Sequence, residues 1–275
     1  GDTRSADAVN THAGDKLRKW ARYLDENLDL ATGALDTIID RTVGTGIEID
    51  PMVERPNGAP AEQINRQIRT RLEEFLMSEV ETTGELSWME IQRLVMRSYL
   101  RDGEVFINHL EGIGAFDHES ETPYTIELIE ADHLPFDLNQ GAAIVHGVEK
   151  NSARRPIAYH LYANHPGDSF IGVTPSANTV RVGAEQITHL KMVRRLGQTR
   201  GISLFHPVLQ RFEDIKDYEE SERIAARVAA SFTAFIRKSE NDPNPTLDSA
   251  GDRLLEMAPG MILDDLLPGE EIGTI

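Results

Sequence analysis

The sequence contains no cysteine and few aromatic residues. Of its 275 residues none is Cys, and 6% are Phe, Trp or Tyr. Disulfides and thiolate metal sites are therefore excluded. The longest apolar stretch, near residues 228–236, includes Ser and Thr and is well short of the roughly 18 apolar residues that span a bilayer. We therefore expect no membrane partner.

Basic residues are also scarce relative to acidic ones. The chain has 28 Lys and Arg against 46 Asp and Glu, a net charge of −18. Proteins that grip duplex DNA do so largely through clustered Lys and Arg, which neutralise phosphates. The composition therefore argues against tight duplex binding, while the length allows one large domain or two smaller ones.

Hydrophobic spacing predicts helices in the first hundred residues. Residues 1–14 are small and polar without periodicity, so we expect a flexible arm. Helical spacing then covers segments near 15–28, 30–43, 64–76 and 87–102, with a break near residues 27–29. Ser87 and Glu90 have the spacing of a capping box at the start of the last helix. Gly46–Asp50 alternates like a short strand.

Short segments rich in β-branched and aromatic residues follow. They are Glu104–Leu110, Tyr124–Ile129, Ala143–Glu149, Ile157–Tyr162 and Thr179–Val182. Gly, Asn and Pro separate them, a pattern that predicts an antiparallel sheet. The stretch Val148–Ile157 is predicted to form a hairpin.

A long helix is predicted from about Leu204 to Lys238. Its only proline, Pro207, is tolerated in a first helical turn. A helix of thirty-odd residues would be about 50 Å long, far longer than the average of about 11–12 residues. Its first half is charged and its second half is rich in alanine, which fits either a solvated helix or close packing beside copies of itself.

No motif in the sequence supports catalysis. Tight metal-ligand spacing such as H-E-x-x-H, a complete phosphate loop and a nucleophile elbow are all missing from the sequence. His109 and His160 lie on predicted strands and are expected to be structural. We expect no catalytic residue, cofactor or metal. The alternative is a soluble metal-dependent enzyme with a site in the β-rich region among His133, His146 and His160.

One local positive cluster precedes the long helix: Arg194, Arg195 and Arg200. It could contact nucleic acid, or it could pair with acidic residues of a neighbouring element or subunit. We favour the second interpretation and treat the cluster as a candidate contact between subunits.

Several segments together resemble the lambda-type portal proteins of tailed phages, in the order found in that family. They are Asp36–Ile47, Gly103–Ile107, Leu128–Leu134, His146–Glu149, Pro156–His160, His165–Asp168, Ile187–Leu190, Gly197–Leu204, Tyr218 with Glu222, and Leu267–Glu271. Each is weak alone, and Gly197–Leu204 belongs to the most specific block. The resemblance covers most of residues 15–275.

The resemblance implies a portal fold of the α+β class. Residues 15–202 would form a wing domain of helices followed by β-sheet, and residues 203–238 the first stem helix. Residues 239–275 would begin a small clip domain. The second stem helix and the crown of the family do not follow, so we expect the sequence to be part of a longer chain.

The resemblance also implies a function. The chain would be a structural ring subunit, usually one of twelve, at the portal vertex of the virion, assembled in the host cytoplasm. The ring would form the channel for genome packaging and ejection, through which double-stranded DNA passes without sequence specificity. It would bind the major capsid protein, the large terminase subunit, and head–tail connector or adaptor proteins. Another head–tail connector ring protein is a further alternative.

In such a ring the stem helix would surround the channel. Its charged residues are then expected to face the channel or the seam between subunits. The candidates on this helix are Asp214, Asp217, Glu220, Glu222 and Arg223.

Overall fold

Helices and antiparallel sheets occur together in a computed structural model of the chain, which confirms the predicted α+β class. The structure describes residues 3–78, 80–112, 122–168, 179–231, 235–238 and 270–273. The chain divides into two units, Gly1–Leu209 and Gln210–Ile275. In the described part of the chain, no helix has both the length and the hydropathy needed to cross a membrane.

The first unit begins with the predicted helices. They are α1 (Ala6–Asn27), α2 (Asp29–Thr42), α3 (Glu62–Leu76) and α4 (Trp88–Arg101). The predicted break is confirmed, because Leu28 is extended and separates α1 from α2. The capping box is also confirmed: the Ser87 hydroxyl accepts from the Glu90 amide at 3.4 Å, and the Glu90 carboxylate accepts from the Ser87 amide at 2.9 Å.

The predicted flexible arm over residues 1–14 is wrong from Ala6 onward. The Ser5 hydroxyl caps α1 by accepting from the Ala8 amide at 3.2 Å. The buried positions in the first half of the helix are four residues apart and small or polar: Ala6, Asn10 and Gly14. Hydrophobic periodicity cannot detect such a face. A Cβ atom at Gly14 would lie 2.7 Å from the Phe136 ring, so small size is required there.

The predicted strand Gly46–Asp50 is also wrong, since the segment belongs to no sheet within the described residues. Its contacts are with side chains of helices. The Ile47 amide donates to the Gln92 side chain at 2.7 Å, and Asp50 forms an ion pair with Arg69. Alternating residues indicate a strand only where another backbone edge is available to pair with it.

The β-rich region forms two sheets where one was predicted. The strands are β1 (Glu104–Glu111), β2 (Tyr124–Ile129), β3 (Ile144–Val145), β4 (Val148–Lys150), β5 (Pro156–Tyr162), β6 (Thr179–Gly183) and β7 (Ile187–Lys191). The first sheet has the order β2-β1-β7 and the second β3-β4-β5-β6, all antiparallel. Strand β7 was not predicted, because its Thr, His and Lys weaken the apolar signal.

The predicted strand Ala143–Glu149 is divided by a tight turn. His146 and Gly147 both have positive φ angles, 52° and 77°, and reverse the chain between β3 and β4. A Cβ atom at Gly147 would lie 2.7 Å from Leu134. The next predicted hairpin is confirmed, since β4 and β5 pair antiparallel with Val148 opposite Tyr159.

The main core of the first unit lies between the two sheets. It contains Phe106, Ile129, Leu134, Val148, Tyr159, Leu161 and Ile187. The Phe106 and Tyr159 rings meet edge to face at 5.8 Å. A second core, built around Val80, Ile91 and Ile126, covers the other face of the first sheet with α4. The first sheet is therefore buried on both faces.

The second unit contains a helix and a two-stranded ribbon. Helix α5 spans Leu209–Ser231, and β8 (Phe235–Lys238) pairs antiparallel with β9 (Glu270–Gly273). The predicted helix over residues 203–238 is therefore too long at both ends. Turns occupy its start, with the His206 amide bonded to the Ser203 carbonyl at 3.1 Å. Apart from β9, the predicted clip segment 239–275 lies outside the described residues.

Two glycine substitutions test the packing of the first unit. Gly103 has φ +88°, and a Cβ atom there would lie 2.2 Å from the Ile202 backbone. Strain and overlap should make Gly103→Ala lower the free energy of unfolding by about 3 kcal/mol or more. Gly33 lies inside α2 with nothing within 4 Å, so Gly33→Ala should raise it by about 0.5–1 kcal/mol. Urea unfolding measures both, and equal effects would contradict this packing.

Candidate functional site

The segment from Met192 to Leu204 connects β7 to the start of α5 and is held closely against the end of α4. The Met192 amide donates to the Gly103 carbonyl at 2.7 Å, and the Leu204 amide to the Leu100 carbonyl at 2.8 Å. A Cβ atom at Gly201 would lie 2.0 Å from the Gly103 carbonyl oxygen. The two backbones therefore touch directly, which fixes the position of this segment within the first unit.

A fully buried arginine anchors this segment. Arg200 has no exposed surface, and its Nε donates to the Glu104 carboxylate at 2.7 Å. Its two terminal nitrogens donate to the Leu134 and Ala131 carbonyls at 2.7 and 2.8 Å. The guanidinium also stacks on the Phe136 ring at 4.1 Å. One side chain thus joins β1, the segment after β2 and the approach to α5.

Glu104 is the acceptor that balances this charge. Its other carboxylate oxygen accepts from the Gly201 amide at 2.8 Å and from the His189 ring at 2.9 Å. Burial alone would raise the pKa of Glu104, but the Arg200 charge and the His189 hydrogen bond hold that pKa well below its usual range. Burial lowers the pKa of His189 despite the neighbouring carboxylate. The pair is therefore an ionised carboxylate beside a neutral imidazole near neutral pH.

Further ion pairs attach the helices to the same region. Asp102, whose side chain is fully buried, accepts from Arg22 of α1 at 2.8 Å and from Arg101 of α4 at 2.8 Å. Arg22 also forms an ion pair with Asp132, at 2.6 Å. Because α1, α4 and the segment after β2 share these groups, their relative positions are fixed by charge as well as by apolar packing.

The first turn of α1 is attached to the same segment near Arg200. Asp7 accepts from the Thr199 amide at 2.7 Å. Lys191 donates to the Thr199 carbonyl at 2.8 Å, and Lys150 donates to the Thr199 hydroxyl at 2.5 Å. Burial lowers the pKa of both lysines. Three elements, α1, β4 and β7, therefore converge on the residue that precedes Arg200.

The predicted basic cluster is divided by this arrangement. Arg200 is buried and paired inside its own chain, so its assignment to a contact between subunits is wrong. Arg194 and Arg195 are exposed and belong to a tight turn. The Gln198 side chain closes that turn by accepting from their amides at 3.0 and 3.3 Å. Sequence adjacency could not show that the three arginines face different environments.

The predicted channel or seam residues lie on α5 of the second unit. Asp214, Asp217, Glu220, Glu222 and Arg223 are all exposed. The phase of the helix relative to a ring axis is untested, so this assignment stays a prediction.

The histidines of the alternative enzyme site have separate partners. His133 bonds to the Tyr162 carbonyl at 2.9 Å, His146 to the Thr11 hydroxyl at 2.7 Å, and His160 to Glu149 at 3.2 Å. The structural role predicted for His109 agrees with its bonds to Tyr124 and Thr188 at 2.6 and 2.7 Å. These contacts join strands to one another or to a neighbouring turn or helix, and His133, His146 and His160 share no hydrogen-bond partner among the described residues.

The fold brings together three side chains that could bind a metal ion and that the sequence did not indicate. Glu130, Asp132 and His165 bring one ligand atom each within 4.8 Å of one another. The Arg22 guanidinium contacts both carboxylates, at 3.6 and 2.6 Å. Because an arginine already neutralises these carboxylates, their charge does not call for a metal ion.

The family of the chain follows from a family model that matches all of residues 1–275: the phage portal protein, lambda family. The chain belongs to that family. This portal chain is 25% identical over 271 residues to the probable portal protein of Halomonas phage phiHAP-1, a match that covers 96% of the chain and 50% of the relative. The chain thus spans about half the length of the curated relative that it matches.

Two solved structures share the fold. The neck of an empty gene transfer agent particle, computed with C6 symmetry, superposes with a TM-score of 0.51 at 11% identity, over 99% of this chain and 63% of that one. The virion of a native gene transfer agent particle gives a TM-score of 0.50 at 11% identity, over 100% and 64%. The portal family is structural, and the buried ion pairs described above join elements of the fold.

The buried pair in this portal chain predicts a large effect on stability. Arg200→Met leaves Glu104 buried with only the more distant Arg18, at 3.8 Å, as a counter-charge, so the free energy of unfolding should fall by about 3–5 kcal/mol. Adding Glu104→Gln removes the unpaired charge and should recover part of that loss. Arg195→Met, at an exposed position, should change it by less than about 0.5 kcal/mol. Urea unfolding of the four proteins measures this, and a small effect of Arg200→Met would contradict the assignment.

Stability should also depend on pH through His189. Its folded-state pKa is lowered, so below the ordinary pKa near 6.5 the unfolded chain binds a proton that the folded chain does not. The free energy of unfolding should therefore fall as pH drops from 7 to 5, by up to about 1.4 kcal/mol per pH unit for each such group. His189→Gln keeps a donor for Glu104 and should make this decline shallower.

The control for this measurement is His12→Gln, at an exposed position on α1. Thermal or urea unfolding at a series of pH values gives the slope for each protein. A slope that His189→Gln leaves unchanged, or that both variants reduce equally, would contradict the role given to His189.

Proposed function

We propose that the chain is a ring subunit at the portal vertex of a phage or gene-transfer-agent particle. Copies arranged around an axis would form the channel for genome packaging and ejection. Family membership over residues 1–275 supports the general role. The structural observation that carries the ring itself is the exposure of α5.

Helix α5 lacks a buried face over its described side chains after Leu209. From Gln210 to Arg227 every side chain is exposed or half-buried, including Ile215, Tyr218 and Ile224. A helix of 23 residues is about 34 Å long. Most helices in proteins are stabilised by packing of an amphipathic face against other elements. Copies of α5 placed side by side would provide that packing.

The charges of α5 suit a channel that DNA traverses. Residues 210–227 carry six carboxylates and four basic groups, in a chain of net charge −18. A wall rich in Lys and Arg would bind the phosphates and retard the duplex. We propose that Asp214, Asp217, Glu220, Glu222 and Arg223 face the channel or the seam between subunits, where DNA would pass without sequence-specific contacts.

The division of the chain suggests how the parts of a portal subunit are assigned. The unit Gly1–Leu209 would be the wing, α5 the stem helix, and the ribbon of β8 and β9 the start of the clip. On this proposal the boundary between wing and stem would lie at Leu209, where the two units of the chain divide. Through these parts the ring would bind the major capsid protein, the large terminase subunit that supplies the ATPase, and head–tail connector proteins.

Assembly into a ring is the test of this proposal. Mass measurement and negative-stain electron microscopy of the purified protein should show closed rings of about twelve copies, with an open centre wide enough for duplex DNA. Ile224→Glu should prevent ring formation, because it places a charge where copies of α5 would pack. Val180→Glu, at a position of β6 with similar exposure (54% against 53%), should leave rings intact.

Circular dichroism should show that both variants remain folded. A protein that stays monomeric at high concentration, or rings that Ile224→Glu does not affect, would contradict the proposed role of α5.

A further inference from the structure

A buried histidine contacts the first half of α1. His146 lies in the turn between β3 and β4 and is 1% exposed. Its Nε2 atom is 2.7 Å from the Thr11 hydroxyl, and its amide donates to the Asn139 side chain at 2.9 Å. The Phe136 ring packs against the imidazole at 5.4 Å between centroids. The imidazole is therefore enclosed on one side by the unit and on the other by the helix.

The hydrogen bonds around His146 determine which ring nitrogen carries the proton. The Thr11 hydroxyl donates its only proton to the Asp7 carbonyl at 2.9 Å, so it must accept a proton from His146 Nε2. In the neutral ring Nδ1 is then the unprotonated nitrogen. Nδ1 is buried and has no hydrogen-bond partner among the described residues. A second proton on the ring would therefore create a buried N–H donor without an acceptor, which is unfavourable.

Charged groups from four parts of the unit act on the ring: Asp7 of α1, Glu104 of β1, Lys150 of β4 and Arg200. Burial has the largest effect and lowers the pKa of His146. The two carboxylates favour a protonated ring, whereas Lys150 and Arg200 oppose it. With α1 in place, the ring is therefore neutral near neutral pH.

The first half of α1 has few apolar contacts with the unit. Three small or polar residues line its buried face: Ala6, Asn10 and Gly14. The Nδ2 atom of Asn10 has no hydrogen-bond partner among the described residues. Besides the bond between Thr11 and His146, Asp7 accepts from the Thr199 amide at 2.7 Å. Segments with few buried apolar contacts open locally before a whole domain unfolds, so a small number of polar bonds keeps this half in place.

The second half of α1 is packed more firmly. Ala21 and Leu24 have no exposed surface, and Arg22 forms ion pairs with Asp102 and Asp132 at 2.8 and 2.6 Å. These contacts do not involve His146. Glycine is unfavourable inside a helix, and Gly14 lies between the two halves. The first half can therefore open while the second half stays in place.

We propose that His146 is a pH-sensitive latch: in mild acid its ring takes up a second proton as residues 6–14 of α1 move away from it and admit water. The closed form excludes this proton, whereas a ring in water accepts it near the ordinary pKa of about 6.5. Acid therefore favours the open form, and the latch weakens progressively below that pH. The latch belongs to the subunit alone and does not depend on the proposed ring.

Amide hydrogen exchange measured by NMR tests the latch in the whole chain. At pH 7.5 the amides of residues 9–14 should be less protected than those of α2 beside the buried Leu35 and Ile39. Between pH 7.5 and 5.0 their protection factors, which correct for the intrinsic pH dependence of exchange, should fall about tenfold. Protection equal to that of α2 would mean that this half opens only when the whole unit unfolds, and would overturn the latch.

Two histidine variants separate the latch from global stability. His146→Gln keeps an N–H donor for Thr11 but gains no proton, so it should remove the pH dependence of exchange in residues 9–14. His189, whose side chain is 4% exposed, stays buried when only this half of α1 opens. His189→Gln should therefore leave that dependence unchanged while reducing that of α2. A dependence that survives His146→Gln, or that His189→Gln removes, would overturn the latch.

Substitution of Thr11 tests the contact itself and disturbs no buried side chain, because Thr11 is exposed. Thr11→Val removes the acceptor and leaves His146 Nε2 without one, so the protection of residues 9–14 should fall about tenfold already at pH 7.5. Thr11→Ser keeps the hydroxyl and should change it by less than about twofold. Equal effects of the two substitutions, or no effect of Thr11→Val, would show that the bond does not hold the helix.

The position of the proton is a further readout. Nitrogen NMR of the labelled imidazole at pH 7.5 should show a protonated Nε2 and an unprotonated Nδ1 in His146. The opposite arrangement, or a doubly protonated ring at that pH, would contradict the latch, because Nδ1 would then already carry the proton that the closed form excludes.

Discussion

The buried pair of Arg200 and Glu104 is the interaction on which the rest of the first unit depends. A guanidinium without exposed surface is tolerated only when its donors have acceptors, because an unpaired buried charge costs several kcal/mol. Here the acceptors come from β1 and from the turn that follows β2. The fold must therefore bring these elements to one point, and the segment Met192–Leu204 is held in place as a consequence.

Ion pairs near Arg200 and Glu104 attach α1 to the first unit, because the first half of this helix has few apolar side chains to bury. The buried face of α1 includes Asn10, Gly14 and Arg18, so the helix buries little hydrophobic surface in its first half. Arg18 and Arg22 instead reach Asp132 at 3.4 and 2.6 Å. Such pairs are more directional than apolar packing, since the hydrogen bonds fix distance and angle. They explain how a domain with exposed apolar residues on α3 still has a defined arrangement of helices and sheets.

The sequence predicted the fold correctly where a local pattern of residues is enough to specify a helix. Hydrophobic spacing located α2, α3 and α4, and the capping box of Ser87 and Glu90 marked the start of α4. It failed where tertiary contacts decide the outcome. The first half of α1 has a small polar face, and β8 pairs with a strand more than thirty residues away. Arg200 was grouped with Arg194 and Arg195 by proximity, although only the fold separates a buried charge from exposed ones. The order of several weak motifs nevertheless identified the family.

The internal ion pairs have a consequence for assembly. Because buried charges such as Arg200 and Glu104 compensate one another, this pair adds nothing to the net charge of −18. Copies with like charge repel, but screening limits that repulsion to about 8–10 Å at moderate salt. Close approach then depends on local attraction. In the proposed ring, the apolar side chains of α5 would supply that attraction, while the excess of carboxylates over basic groups would disfavour the trapping of DNA.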